Sequence, residues 1–521
     1  MVSCWEGSKL IMSETPETGK QQKAGKRQWI GLAVIALPCL LYSMDLTVLN
    51  LAIPAISADL KPSSTELLWI IDIYGFMVAG FLITMGNLGD AIGRRKLLLI
   101  GACVFGVASV VAACSASAKA LIVSRAVLGI AGATLAPSTL SLIRNMFHDP
   151  KQRTVAIGVW ISSYSVGGAI GPVIGGSLLE SFRWGSVFLI AVPVMVLLLI
   201  LGPLLLPEYR DPATRRVDLI SVLLSLLSVL SIILGLKKIA AAGPDWFAAA
   251  SIITGLLLGM IFLQRQKKLS NPLIDLQLFR DTRFNIALLT YTLATFVTFG
   301  NFIFIFQFMQ LVAGLSPLHA GLWSIPFFIA FIIGSLFSPQ LAQRFNLSHV
   351  LAGGMLLAAA GFALLTQVDA DDVPLLAAGS FIYCLGLSPA FTLTTDIIVG
   401  TAPPERAGAA AAISESGSEF GGALGIAIIG SIGTLIYRHE LAASMPQGIP
   451  AQAAEAAKAT LGEAVLQAQQ LPVSLGGSLL PAANAAFISG MHASALTCLI
   501  TMILLAYLVV QKLRLTQNES R

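Results

Sequence analysis

Six ionisable side chains fall in or at the edge of long apolar runs, where charge is costly: Asp45, Asp72, Arg125, Asp396, Glu415 and Glu419. Placing such a group at bilayer depth costs roughly 2.5–3.5 kcal/mol on insertion scales, so by default it marks an ion or substrate pathway. A carboxyl group removed from water holds its proton more readily, whereas an arriving organic cation favours the charged form. One carboxylate can therefore carry a proton and a cation in turn, and competition for it couples two opposed flows. Two such acids would exchange two protons for one cation, gaining about 2.3 kcal/mol per 100 mV for the extra charge.

Spacing sorts these groups. Glu415 and Glu419, four residues apart in "ISESGSEFGG", share one helical face. At about 1.5 Å per residue, Asp45 sits in the outer half of its run, Asp72 a turn or two below the outer surface, and Glu415 near the midplane. Glu419 precedes Gly421 and Gly422, so it serves either as a second exchanging acid or as a partner for a neighbour's backbone; both readings stand. Asp396 is expected at the membrane interface. Aromatic faces can hold the apolar body of a cation. Trp69 and Tyr74 flank Asp72, Trp160 and Tyr164 are four residues apart, and Phe302 and Phe306 form a stripe with Gln310.

The elements that position these groups follow from composition. The 521 residues are 56% hydrophobic and 11% charged, against about 25% charged in soluble domains, which marks an integral membrane protein. Fourteen apolar runs of bilayer length predict an all-α integral membrane protein with 14 transmembrane helices. An even number puts both termini on one side. With that side cytoplasmic, 24 of the 32 Lys and Arg fall in cytoplasmic segments and seven outside, in accord with the positive-inside rule. The net charge of +5 is thus a topology signal and does not point to nucleic acid. The expected organisation is a cytoplasmic tail over 1–28, six helices over 29–206 and an inserted pair within 207–284. Six more helices over 285–511 include an external loop near 437–483, and a cytoplasmic tail covers 512–521. "GNLGDAIGRRK" after the second helix and "PQLAQRFN" after the tenth hint at an internal repeat relating the two sets of six. Paired repeats around a midplane cavity are a common transporter plan.

Several functions lack their residues. Six scattered cysteines and five His residues, mostly in loops, form no disulfide framework or metal-ligand spacing, so no metal is expected. There is no G-x-x-x-x-G-K-[ST] phosphate loop for an ATP-driven pump.

Several motifs together resemble the major facilitator superfamily, in its fourteen-helix drug:proton antiporter branch. "GNLGDAIGRRK" is similar to the superfamily's loop between helices 2 and 3, with Gly86, Asp90, Gly93, Arg94 and Arg95 in matching places. "GGAIGPVIGG" resembles the antiporter motif of helix 5, matched by Gly168, Gly171, Pro172, Gly175 and Gly176. "MDLTVLNLAIP" and "LIVSRAVLGIAGA" resemble the branch's helix 1 and helix 4 motifs, and "LLWIIDIYGF" resembles exporters of quaternary ammonium compounds and viologens.

The resemblance implies the major facilitator fold: two pseudo-symmetric six-helix bundles plus two inserted linker helices. It implies that the first loop latches the halves, with Asp90 capping the next turn and pairing with Arg94 or Arg95. Gly167, Gly171 and Gly175, spaced by four, would accept a close helix, and Pro172 favours a bend. Asp45 is expected near Arg125, and Asp72 toward Glu415. The chain departs from some quaternary-ammonium exporters in having Ser414 and Phe331 where those carry acids.

The expected activity is proton-coupled export of hydrophobic organic cations across a bacterial inner membrane, by a monomer that is not an enzyme. It draws on the proton gradient and needs no cofactor. A carrier of the same fold for an endogenous metabolite, siderophore or lipid-like molecule is the second reading. A non-transporting sensor or scaffold is the third, and it would survive neutralisation of the acids.

Overall fold

In hydrocarbon no water is available to backbone amides and carbonyls, so an apolar run of twenty residues must satisfy them internally, as a helix. The computed structural model describes residues 24–62, 64–209, 218–242, 245–269, 272–403 and 406–518. Most of the tail expected over 1–28 and the last residues of 512–521 lie outside these. Among the described residues all regular structure is helical, and fourteen spans are long and apolar enough to cross a bilayer.

The first unit comprises α1 (Lys26–Leu60), α2 (Ser64–Ile92), α3 (Arg94–Ala113), α4 (Ala118–Gly132), α5 (Leu135–Met146), α6 (Pro150–Ser181), α7 (Ser186–Leu189) and α8 (Ala191–Leu205). An inserted pair follows, α9 (Leu219–Ala242) and α10 (Trp246–Gln266). The second unit comprises α11 (Thr282–Gln307), α12 (Pro317–Arg344), α13 (Leu347–Leu365), α14 (Val373–Thr401) and α15 (Ala407–Ala443), then α16 (Ala451–Ala459), α17 (Leu461–Gln470) and α18 (Val473–Asn518). Two expected spans are broken: α4 and α5 form one crossing, as do α7 and α8, and α11 continues as a π turn over Phe308–Val312. The face at which α1 begins is termed proximal, the opposite face distal.

Each unit has its own core, the first including Ile35, Leu98, Trp160 and Met195, the second Phe304, Met355, Phe362 and Cys498. The helices α9 and α10 pack on each other, Ser228 Oγ donating to Gly255 O at 2.8 Å. Leu226 and Leu230 of α9 lie over Gly80 of α2, and α9 also packs on α15. The inserted pair therefore touches both units. Over the segment expected as external, 437–483, α15 continues to Ala443 and α18 begins at Val473, and Tyr437 is buried with its hydroxyl donating to Ala457 O of α16 at 2.7 Å. Two short helices fill what remains.

The two units meet at the proximal end. Gly86 of α2 abuts Gly408 and Ala412 of α15, and Gly158 of α6 faces Ser335 O of α12. Asp396 of α14 accepts from Arg153 Nε and Thr154 Oγ1 of α6, both at 2.6 Å. Asp396, expected only as an interface residue, thus ties the two units together. Between α10 and α11, Leu273, Ile274 and Leu278 pack with Ile83, Ile398 and Ile413. Leu273 O accepts from Asn87 Nδ2 at 2.8 Å and Asp275 from Arg406 Nη1 at 2.7 Å.

Candidate functional site

The acids occupy two levels. Toward the distal face, Arg125 of α4 is fully buried and its Nη1 lies 3.3 Å from Asp45 Oδ2 of α1. Its guanidinium carbon stands 5.2 Å from the Tyr74 ring centroid and 6.0 Å from that of Phe188. A buried guanidinium needs such company, since a lone charge out of water costs several kcal/mol. The expected neighbourhood of Asp45 and Arg125 is therefore present as an ion pair with aromatic walls.

Deeper in, the two glutamates of α15 face different units. Glu419 Oε1 accepts from Tyr42 OH of α1 at 2.8 Å, a hydrogen bond between the units. Glu415 Oε1 accepts from Tyr291 OH of α11 at 3.3 Å, within the second unit. About 12 Å separates Glu415, and about 18 Å Glu419, from the proximal start of α15. Tyr42 links the levels: its ring is 5.9 Å from Tyr74, which carries Arg125, and 5.8 Å from Tyr164. A continuous series thus runs from Asp45 through Arg125, Tyr74 and Tyr42 to Glu419. On the opposite wall, Phe391 stacks edge-on with Tyr291 at 5.4 Å and Phe331 at 5.3 Å. The position at which some exporters carry an acid is here part of an aromatic wall.

Asp72 does not join Glu415. The register is set where Gly86 meets Gly408 and Ala412 on antiparallel α15. Asp72, fourteen residues before Gly86, then lies about 21 Å toward the distal face, and Glu415 only about 8 Å. Asp72 belongs with the distal level. The named aromatics also divide. Trp160 is buried, donates its indole N–H to Thr139 Oγ1 at 3.0 Å and backs the Tyr164 ring at 4.9 Å, so it supports the wall and does not form it. Trp69 is 41% exposed and leans on Phe76. Phe302 and Phe306 pack on each other, ring centroids 4.7 Å apart, within the two turns that precede the π turn.

The loop between α2 and α3 touches both units. Asp90 pairs with fully buried Arg94, whose guanidinium lies directly on the backbone of Gly408 in the other unit. The amides opening α3 are not capped by Asp90. Glu208, beyond α8, accepts from Arg95 N at 3.1 Å and Lys96 N at 3.2 Å, and its carboxylate presses on Gly93, whose φ of 111° no other residue adopts easily. Arg95 itself donates to Leu206 O at 3.0 Å and pairs with Glu208. A carboxylate at a helix N-terminus satisfies free amides and opposes the dipole, and Glu208 fills that role because the chain returns there at the end of the first unit.

In α6, Gly167 meets the backbone of Leu40 and Gly175 the side chain of Val48, so this groove receives α1 of the same unit. Contact with the other unit falls to Gly168, against Phe328, and to Gly158, which the motif does not include. Gly171 is buried between these; Gly176 has no neighbour close enough to demand glycine, and the side chain of Pro172 lies outside the described residues.

Among the described residues no three His, Cys, Asp or Glu gather as a metal site. The residues missed from sequence are Tyr42, Tyr291, Phe391 and Glu208. Tyr42 carried a signal, standing three residues before Asp45 on the same helical face. The others have none before the helices are packed.

Residues 35–426 match the model of the Major Facilitator Superfamily. The chain is 40% identical over 496 residues to the multidrug efflux pump LfrA of Mycolicibacterium smegmatis, covering 95% of this chain and 96% of that one. It is 37% identical to the methyl viologen resistance protein SmvA of Salmonella typhimurium over 92% of this chain and 97% of that one. It is 32% identical to the tetracenomycin C resistance and export protein of Streptomyces glaucescens, over 92% and 90%. Among solved structures, the human organic anion transporter MFSD10 aligns with a TM-score of 0.59 at 16% identity, covering 91% of this chain and 99% of that one. A bacterial homologue of the lysosomal transporter Spinster aligns at 0.56 and 16%, over 94% and 98%. Both alignments concern the fold alone.

Proposed function

The chain belongs to the Major Facilitator Superfamily and is a multi-pass membrane transporter, not an enzyme; from this we propose that it exports hydrophobic organic cations in exchange for protons. Quaternary ammonium antiseptics, dyes and viologens are the substrate class. The observation that carries the reading is the placement of Glu415 and Glu419 between the units, each accepting from a tyrosine hydroxyl and walled by Tyr42, Tyr164, Tyr291 and Phe391. Ring faces hold the apolar body of a cation while a carboxylate answers its charge. The export of drugs and resistance to methyl viologen by its relatives support the same class.

We take the proximal face as cytoplasmic on the distribution of basic residues, and the membrane as the bacterial inner membrane from the bacterial relatives. A cation entering from the cytoplasm meets Glu415 first, displaces its proton and comes to rest against the tyrosines. The opening of the distal side exposes the cation to the outside, where protons reoccupy the acids and release it. Asp45 is the carrier of the second exchangeable proton in this reading, with Arg125 beside it as counter-charge to the carboxylate. The protein works as a monomer with the proton gradient as its energy source and no cofactor.

Inverted vesicles loaded by a pH gradient test this with ethidium. Gradient-driven uptake should disappear in Asp45→Asn and in Glu415→Gln examined separately. Retention of full proton-dependent uptake by both variants would refute the carboxylate mechanism.

A further inference from the structure

Asp45 also borders a pocket that does not lie between the two units. It is narrow, lies inside the first unit and is lined by Phe105 and Ser109 of α3, by Val187 and Phe188 of α7, and by Ala191 of α8. It has about 20 Å³ of room for water centres, enough for one water molecule and far too little for an organic cation. No residue of the second unit lines it. The Asp45 side chain keeps 17% of its surface although Arg125 beside it keeps none.

Arg125 does not line the pocket but stands beside Asp45, which does. Arg125 is fully buried, and its Nε and Nη2 donors find no partner in the protein while Nη1 pairs with Asp45. Buried donors are normally satisfied by protein or by ordered water. On the pocket's wall, Ser109 lies four residues before the distal end of α3, about 6 Å, and Phe105 eight residues, about 12 Å. A rim stands over it. Asp59 accepts from Trp184 Nε1 at 2.6 Å and from Arg183 Nη2 at 2.7 Å, and the Trp184 ring meets Phe188 edge-on at 6.3 Å. Phe188 in turn lies beneath the Arg125 guanidinium.

We propose that Asp45 exchanges protons with the distal solution through this pocket, by way of water held between Asp45 and Ser109, separately from the route taken by the organic cation. A hydronium reaching the pocket gives its proton to Asp45 Oδ and leaves as water; the carboxylate becomes a neutral acid, and the charge of Arg125 is unchanged. The reverse step returns the proton to a water in the same place. The inference rests on the proposed proton coupling at Asp45 and adds a path to it. The proton site can then be refilled from the distal side while a cation still occupies the space between the units.

Full-length protein reconstituted in liposomes, with ethidium as the probe, tests the path. Ser109→Leu fills the pocket with carbon. Gradient-driven ethidium transport should be lost in it while ethidium exchange without a gradient persists, and Ser109→Ala should keep both. Gradient-driven transport that survives in Ser109→Leu overturns the path. Should Ser109→Leu lose exchange as well, Ser109→Val, which disturbs the packing less, decides. Loss of gradient drive with exchange retained supports the path, and full gradient drive, or loss of both together, overturns it. Asp45→Asn run alongside separates the two ideas, since gradient-driven transport by that variant sinks the proton-coupling reading itself.

Discussion

Substituting Gly408 by valine should pry the two units apart at the proximal face. In the structure the guanidinium of Arg94 rests on the Gly408 backbone, and a Cβ there would overlap Nη2, Cζ and Nη1 together. A flexible side chain end could normally swing away, but this one is held by its ion pair with Asp90 and fully buried against Gly89. Overpacking of a confined site costs about 1–3 kcal/mol, and here only the proximally closed arrangement bears the cost. The closed-to-open ratio should therefore fall roughly 5- to 150-fold. Spin labels on His148→Cys and Arg344→Cys, exposed residues at the proximal ends of the two units, report it when Cys103 and Cys114 are replaced by serine. Gly408→Val should add a longer distance to the distribution, and adding Arg94→Ala should remove much of the effect, since the clash partner is gone. An unchanged distribution in Gly408→Val would refute the idea that this contact holds the closed state.

Four further outcomes are expected. Tyr42→Phe keeps the ring contacts but removes the hydroxyl from Glu419; it should lower ethidium transport in vesicles several-fold while leaving thermal stability almost unchanged. Glu208→Gln deprives Arg95 N and Lys96 N of a charged acceptor and should destabilise the folded protein by about 1 kcal/mol, read as a lower midpoint of thermal unfolding in detergent. At the proximal end of the inserted pair, hydrogen bonds from Arg265 and Ser221 hold the Asp218 carboxyl well below the usual carboxylate range. Its stabilisation is thus complete above its unfolded pKa of about 3.9 and declines as the pH falls toward the lower folded value. Asp218→Asn should lower the melting midpoint at pH 7 and narrow the difference between pH 7 and pH 3. Gly167→Leu would force α6 off the Leu40 backbone and should abolish accumulation of folded protein in the membrane, measured by fluorescence-detected gel filtration.

What could be read from the sequence was what a single helix carries. Fourteen spans follow from apolar length, and Asp45 and Arg125 stood out because charge in hydrocarbon is costly wherever the helix ends up. Partnerships between helices were less accessible. Asp72 was expected toward Glu415 because both lie on facing helices, but the axial register, fixed by the contact of Gly86 with Gly408, separates them. The cap on α3 was assigned to nearby Asp90, whereas Glu208, more than a hundred residues on, supplies it. Aromatic spacing on one helix did not tell ring walls from ring supports: Trp160 and Tyr164 share a stripe, yet Trp160 is spent on Thr139. Tyr291 looked like any tyrosine in an apolar run until α11 and α15 were side by side.

Proton release on cation binding tests the central claim most directly. Purified protein in weakly buffered detergent, mixed with ethidium, should release protons in proportion to the ethidium bound, and the release should fall in Glu415→Gln and vanish when Asp45→Asn is added. Undiminished proton release by the doubly substituted protein, or ethidium binding by the unsubstituted protein with no protons released, would contradict competition of proton and cation for these carboxylates.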